Sequence, residues 1–208
     1  MTDELTVAIL AGGESKRFRS DKALALFRGV PLLTHMVGIA RRLSNRTLVI
    51  VSDDEQRGRV KKAAEPARIE VDPDGAMKCA LTGAVTAFEL AETRHTMLLP
   101  VDTPLAKVEL LRVIADLAPG HGAVVPSWPN GNTEPLHAVY LSEHAYARGL
   151  SALDEGKRRM QDLLDSLKRV LYVSTNALTQ FDSEMVTFAN INTEQDLKRL
   201  ESTYTYDT

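Results

Sequence analysis

Four cations, Lys16, Arg17, Arg19 and Lys22, fall within seven positions just after the adjacent glycines Gly12 and Gly13. The glycines follow a short apolar run, Thr6-Val7-Ala8-Ile9-Leu10, which reads as a buried strand. Paired glycines let the backbone approach a ligand closely, and bare amides at a strand end can point at phosphate oxygens. Cations beside such amides suit a polyphosphate. The alternative is a tight turn with solvated charges, but four cations crowded at the end of a first strand favour phosphate. Two well-known phosphate loops are excluded. The spacing G-x-x-x-x-G-K-[ST] is missing, and so is G-x-G-x-x-G, because no third glycine comes before Gly29. A nicotinamide or flavin Rossmann protein is disfavoured on the same ground.

A second candidate is Asp102, just past the apolar run Met97-Leu98-Leu99-Pro100-Val101 and before Thr103-Pro104. Its carboxylate either accepts local backbone amides in a turn or binds Mg²⁺, which in nucleotide sites takes one or two protein oxygens and fills its shell with phosphate and water. The five histidines (35, 95, 121, 137 and 144) include no two at metal-ligand spacing, so zinc is not expected. Cys79 is the single cysteine and reads as a small buried residue rather than a nucleophile. Trp128, beside Pro129, reads as loop packing, with a cover for a flat ring as the alternative. No Ser/His/Asp arrangement stands out, which fits a reaction in which one phosphate attacks another.

These residues need elements to position them. Strand-like runs occupy Thr6–Leu10, Thr47–Val51, Arg68–Val71, Thr96–Val101, Ala123–Val125, Pro135–Leu141 and Val170–Ser174, with a short edge strand at Phe188–Ile191. Helical spacing appears over Leu32–Leu43, from a Ser52-Asp53-Asp54 cap to about Ala64, over Cys79–Ala91, over Lys107–Leu117, and from Thr193 onward. Residues 143–167 hold one or two helices, broken near Gly149 or Gly156. Such alternation predicts an α/β fold, a mostly parallel sheet with helices on both faces. Ligands in such sheets sit beyond the carboxyl ends of the strands, which singles out residues 11–22, 72–83 and 102–104.

Composition bounds the remainder. The chain has 208 residues, 44% of them hydrophobic and 25% charged, as expected of one globular domain with a sizeable core. A net charge of −3 argues against a whole-protein grip on nucleic acid. A lone cysteine permits no internal disulfide and fits a reducing cytoplasm. No apolar stretch approaches a membrane span, and the acidic start Met-Thr-Asp-Glu is not that of a signal peptide. A cytoplasmic protein with no membrane partner is expected.

The loop from Leu10 to Lys22 resembles the L-A-G-G-x-S-x-R-[MF]-G-x-D-K signature of the molybdenum cofactor guanylyltransferase (MobA-type) family. The match runs through Leu10, Ala11, Gly12, Gly13, Ser15, Arg17, Phe18, Asp21 and Lys22, then Ala23-Leu24. Asp102-Thr103-Pro104 is similar to the family's C-D-[TM]-P, and Asn190-Ile191-Asn192-Thr193 to its N-[VI]-N-T. The resemblance is dense in residues 7–33, 96–104 and 188–200. It implies a three-layer α/β/α Rossmann-like fold, a glycosyltransferase-A-type nucleotidyltransferase, in one domain spanning 1–208. It also implies Mg²⁺-dependent transfer of GMP from GTP to the terminal phosphate of molybdopterin, with release of pyrophosphate.

By the same resemblance, Arg17, Lys22 and Asp102 are catalytic. Leu10, Ala11, Gly12, Gly13, Lys22, Asp72 and Asp102 meet the nucleotide, with backbone amides at 11–13 holding the triphosphate. Asp102 and Asn192 hold Mg²⁺, while Thr193 caps the last helix. A carboxylate at Asp72 can accept the N1–H and N2–H₂ donors of guanine, although Asp72-Pro73-Asp74-Gly75 is also an ordinary turn. Asn132 to Tyr140 suits a wall of the acceptor pocket or a plain edge strand. Transient contact with other cofactor-biosynthesis proteins is expected.

Two departures stand out. Arg19 replaces the family glycine, so the loop takes another path or Arg19 adds a phosphate contact. In Lys78-Cys79-Ala80-Leu81-Thr82-Gly83 only Leu81 and Gly83 fit the family's G-P-L-A-G. Competing readings are the same chemistry on another acceptor (adenosylcobinamide phosphate or a sugar 1-phosphate) or with CTP, and a non-catalytic nucleotide-binding adaptor.

Overall fold

The computed structural model describes residues 4–12 and 21–203. The order of elements is β1 (Leu5–Leu10), β2 (Leu26–Phe27), β3 (Val30–Pro31), α1 (Leu32–Leu43), β4 (Arg46–Val51), α2 (Asp54–Ala64), β5 (Arg68–Val71), α3 (Ala80–Leu90), β6 (His95–Pro100), α4 (Val108–Asp116), β7 (Ala123–Ser127), β8 (Val139–Leu141), α5 (Ser142–Asp154), α6 (Met160–Ser166), β9 (Val170–Ser174), α7 (Thr175–Leu178) and α8 (Glu194–Thr203). Seven strands form one sheet in the order β5-β4-β1-β6-β8-β7-β9. All neighbours are parallel except β8, which runs antiparallel to both β6 and β7. The short β2–β3 ribbon is separate.

Every residue of β1 and β6 is buried, because both faces of the sheet are covered. Side chains alternate between the faces of a strand. Val7, Ile9, Val49, Val51, Met97 and Leu99 therefore enter one core with α1, α2 and α4. Ala8, Leu10, Leu48, Ile50 and Leu98 enter the other with α3, α5 and α6. Helix α1 shows why its periodicity was legible: Leu32, Leu33, Met36, Val37, Ala40 and Leu43 form one buried stripe. The three-layer, mostly parallel α/β architecture agrees with the expectation.

Two local expectations need correction, and a third is narrowed. The strand expected over Pro135–Leu141 is confined to Val139–Leu141. Its first half turns instead, with the His137 amide donating to the Glu134 carbonyl at 3.0 Å. Phe188–Ile191 is not a strand: a 3₁₀ turn spans Val186–Phe188, and Ile191 is spent on packing. Of the two candidate breaks between 143 and 167, Gly156 is the one used, at φ +80°. Gly149 lies inside α5, where a Cβ would come within 2.6 Å of Val85 Cγ2, so glycine there lets α5 close on α3.

Candidate active site

The pairing registers align the carboxyl ends of β1, β4 and β6, with Leu10 opposite both Ile50 and Pro100. Strand β7, parallel to β6 through two antiparallel steps, ends at the same edge. Three side chains from widely separated segments meet there. Lys22 Nζ donates to Asp102 Oδ2 at 2.5 Å and to Asn192 Oδ1 at 3.0 Å. The Lys22 and Asp102 side chains are 16% and 15% exposed, open enough for a ligand but shielded from bulk water. Asp102 Oδ1 is buried and accepts no hydrogen bond from the described residues.

Each member of this corner is held by a local device. Asp21 caps the 3₁₀ turn Lys22–Leu24, accepting from the Ala23 amide at 3.1 Å, which aims Lys22 at the sheet edge. Asp102 lies one residue beyond Val101, whose amide donates to the Leu10 carbonyl. Asn192 is brought back by Ile191, which is fully buried with Phe27, Leu32 and Leu200 and donates its amide to the Asp102 carbonyl at 2.9 Å. Thr193 caps α8 as expected: its hydroxyl accepts from the Asp196 amide at 3.1 Å, and Asp196 accepts in return from Thr193 and from the Asn192 amide. The Thr193 hydroxyl, ahead of the Asn192 amide and the charge of Arg199, holds the Asp196 carboxyl below its usual range. The Asn192 side chain takes no part in the cap and reaches Lys22.

The glycine loop departs from expectation where it is described. Gly13 and Arg17 lie outside the described residues, as does Arg19. The amides of Ala11 and Gly12 are not bare: both donate to the Ile50 carbonyl, at 2.9 and 3.0 Å. Leu10 is spent as well, its side chain in the core and its carbonyl accepting from Val101. The reason is continuity: parallel pairing of β1 with β4 runs on past the strand end. Gly12 is needed for close approach instead, because a Cβ would stand 2.9 Å from Ser52 Oγ.

Asp72 lies beyond β5, three strands from β6. It is 9% exposed, and its Oδ1 accepts from the Thr86 hydroxyl of α3 at 2.7 Å. Burial pushes its carboxyl up, while the Thr86 bond and the charge of Lys78 oppose the shift. Gly83, one of the two residues matching the family's glycine-containing segment, faces Leu10, Ile50 and Asp72 Oδ1. It keeps that side of α3 small where the helix passes the carboxylate.

A family model, the MobA-like NTP transferase domain, matches residues 7–170. The chain belongs to this family. It is a nucleotidyltransferase. Two relatives, each named "Probable molybdenum cofactor guanylyltransferase", come from Natronomonas pharaonis and Bacillus cereus. The first is 30% identical over 94% of this chain and 96% of its own, the second 31% identical over 90% and 91%. The crystal structure of a molybdopterin-guanine dinucleotide biosynthesis protein A from Archaeoglobus fulgidus superposes with a TM-score of 0.82. It is 26% identical and covers 95% of this chain and 97% of its own.

In this MobA-like chain, sequence reading missed Gln56. It is 5% exposed. Its Oε1 accepts from the Ser52 amide at 2.9 Å, and its Nε2 donates to the Ala11 carbonyl at 3.0 Å and to Asp21 Oδ1 at 3.3 Å. One amide thus joins the ends of β1 and β4 to the turn that carries Lys22. The signal was present as Asp53-Asp54-Glu55-Gln56, the D-x-x-Q form of a capping box. Asp53 does cap α2, accepting from the Gln56 amide at 2.8 Å. Lys78 donates to the same carboxylate at 2.8 Å and, ahead of the Gln56 amide, holds it below its usual range.

The start of the segment from Asn132 to Tyr140 forms part of a cavity wall. Trp128, Asn132, Thr133, Glu134, Met160 and Gln161 are among the residues lining a cavity of about 600 Å³ beyond the end of β7, within the size range of small-molecule sites. Behind the wall, the fully buried Tyr140 donates its hydroxyl to the carbonyl of Pro135, a lining residue, at 2.7 Å, and burial pushes its phenol far up.

Proposed function

We propose that this chain transfers GMP from GTP to the terminal phosphate of molybdopterin, releasing pyrophosphate and leaving the guanine dinucleotide form of the cofactor. An oxygen of the acceptor phosphate forms a bond to the α-phosphorus of GTP, and the bond from that phosphorus to the β-phosphate oxygen breaks. The attacking phosphate is already ionised at neutral pH, so no side chain need remove a proton. The protein's task is positioning and charge stabilisation.

One observation carries this reading: Lys22, Asp102 and Asn192 meet at the carboxyl edge, with 80 and 170 residues separating Lys22 from its two partners. The donor set fits Mg²⁺, which prefers carboxylate and carbonyl oxygens. Among the described residues Asp102 Oδ1 is buried without a partner, and Asn192 Oδ1 shares Lys22 with the other Asp102 oxygen. Among the described residues no group of three or more His, Cys, Asp or Glu comes together, so most of the ion's shell would come from phosphate and water. Asp102 and Asn192 would hold the ion, which would neutralise charge between the reacting phosphates. Lys22, joined by Arg17, neutralises phosphate oxygens. Asp72 accepts the donor edge of guanine with the oxygen that Thr86 does not use. The cavity beyond β7 takes the acceptor.

Calorimetry with GTP, CTP and ATP in the presence of Mg²⁺ tests the nucleotide. GTP is expected to bind most tightly, and tighter CTP or ATP would redirect the reading. Pyrophosphate release from GTP only when molybdopterin is added tests the acceptor.

A further inference from the structure

His137 lies between the acceptor-side cavity and the Asp102 corner, and no step so far uses it. Its residue is 1% exposed. Nε2 stands 3.2 Å from the hydroxyl of Thr103, the residue next to Asp102 and itself fully buried. Nδ1 is buried with no hydrogen-bond partner among the described residues and lies 3.7 Å from Glu134 Oε2. The other Glu134 oxygen accepts from Trp128 Nε1 at 2.7 Å. The imidazole ring also meets Phe188 edge-on at 5.1 Å, and Phe188 meets Trp128 at 5.8 Å. Phe188 begins the segment that leads to Asn192.

We propose that His137 is a positioning residue: it ties the cavity wall at Glu134 and Trp128 to the Asp102-Thr103 turn and, through Phe188, to the segment bearing Asn192. A carboxylate, an imidazole and a hydroxyl in sequence have the pattern of a nucleophile relay, but a fully buried Thr103 hydroxyl meets no substrate. With the proton on Nδ1, the ring accepts from Thr103 and turns its N–H toward the Glu134 carboxylate, an electrostatic contact at 3.7 Å rather than a hydrogen bond. The carboxylate and the Phe188 ring orient the imidazole, and the imidazole fixes the turn that aims Asp102. This rests on the reading of the site as a nucleotide–metal corner, and its consequence is that occupancy of that corner is felt at the cavity wall.

Trp128 is the only tryptophan in the chain and reports on that wall. Mg²⁺–GTP is titrated into the full chain by calorimetry and, in parallel, by tryptophan emission excited at the red edge to avoid guanine absorption. The wild type is expected to bind and to change its emission. His137→Phe keeps a ring against Phe188 but breaks the chain: binding persists within about twofold while the emission change is lost. In turnover the same variant should lose about ten- to a hundredfold in kcat with KM for GTP little altered, the cost of a misplaced group. His137→Gln, whose amide can reach Thr103, should recover part of it. If His137→Phe does not fold, Thr103→Val removes the hydroxyl alone and carries the same expectation.

Retention of the emission change and of kcat in the folded variant overturns the proposal. So does a wild type that binds Mg²⁺–GTP with no change at Trp128. A wild type that binds no GTP by calorimetry overturns the reading of the site, and this proposal with it.

Discussion

Asp102 and Asp72 stand at the same edge of one sheet, each just beyond the carboxyl end of a parallel strand, and their surroundings differ. Their strands are three steps apart, or roughly 14 Å at the usual inter-strand spacing, a distance that a nucleotide lying along the edge can cover. Asp102 meets the Lys22 ammonium, which also donates to the Asn192 amide oxygen, and among the described residues one of its carboxylate oxygens has no partner. Asp72 meets a hydroxyl from the next helix and is held in low-dielectric surroundings that disfavour its charge. One carboxylate is compensated by a cation; the other is desolvated. Position in the fold brings both to the edge where ligands of such sheets sit, and in the proposed reaction their neighbours would divide the work: charge handling at one end, donor recognition at the other.

The sharpest way to break this contrast is at the compensated end. Lys22→Ala and Asp102→Asn should each lower kcat by about 10²–10³-fold, the scale for losing one preorganised electrostatic group, while the melting temperature stays close to that of the wild type. Pyrophosphate release measures the first and a thermal scan the second; near-normal turnover in Lys22→Ala would remove that residue from the chemistry.

Between the two ends, Gln56 ties β1 and β4 together. Gln56→Ala removes the acceptor of the Ser52 amide and a donor to the Ala11 carbonyl and should cost about 1–3 kcal/mol, the scale for losing partners of buried polar groups, read by denaturant unfolding. A midpoint equal to wild type would mean that those groups find other partners.

The smallest effect belongs to the desolvated end. A folded-state pKa above the unfolded one means that Asp72 supports the fold while protonated and loses that support as pH rises through its raised value. Asp72→Asn keeps an oxygen for Thr86 and removes the buried charge. It should melt higher than the wild type at neutral pH, with the gap closing in acid below the ordinary aspartate range, and it should bind GTP more weakly. A variant that melts lower at neutral pH would show Asp72 to be ionised and compensated after all, erasing its contrast with Asp102.

Much of the frame was legible in residue order. Helix α1 has the limits expected, because a buried stripe at 3.6-residue spacing leaves no other face to bury. Strands β1, β4 and β6 were visible as apolar runs because both faces of the sheet are covered. Segment 135–141 was misread because alternation alone does not separate a strand from a turn whose carbonyls find local donors. Phe188–Ile191 was misread because its apolar residues pack as plugs, Phe188 under Trp128 and Ile191 under α8, rather than as a ladder. At the site, Lys22, Asp102 and Asn192 were named from motifs and do converge. Gln56 and His137 were passed over, since a lone amide and a lone imidazole look alike whether buried or solvated.

By itself, the chain order determined the alternation of elements, the edge of the sheet where ligands go, and the residue types able to meet phosphate and metal. These follow from periodicity and from the chemistry of single side chains. Only the tertiary structure decided which of them touch. The amides of Ala11 and Gly12 are consumed by β4, Lys22 reaches across 170 positions to Asn192, and Asp72 is desolvated while Asp102 is paired. Hydrogen-bond satisfaction and local dielectric belong to the space around a group, and that space is filled by residues distant in the chain.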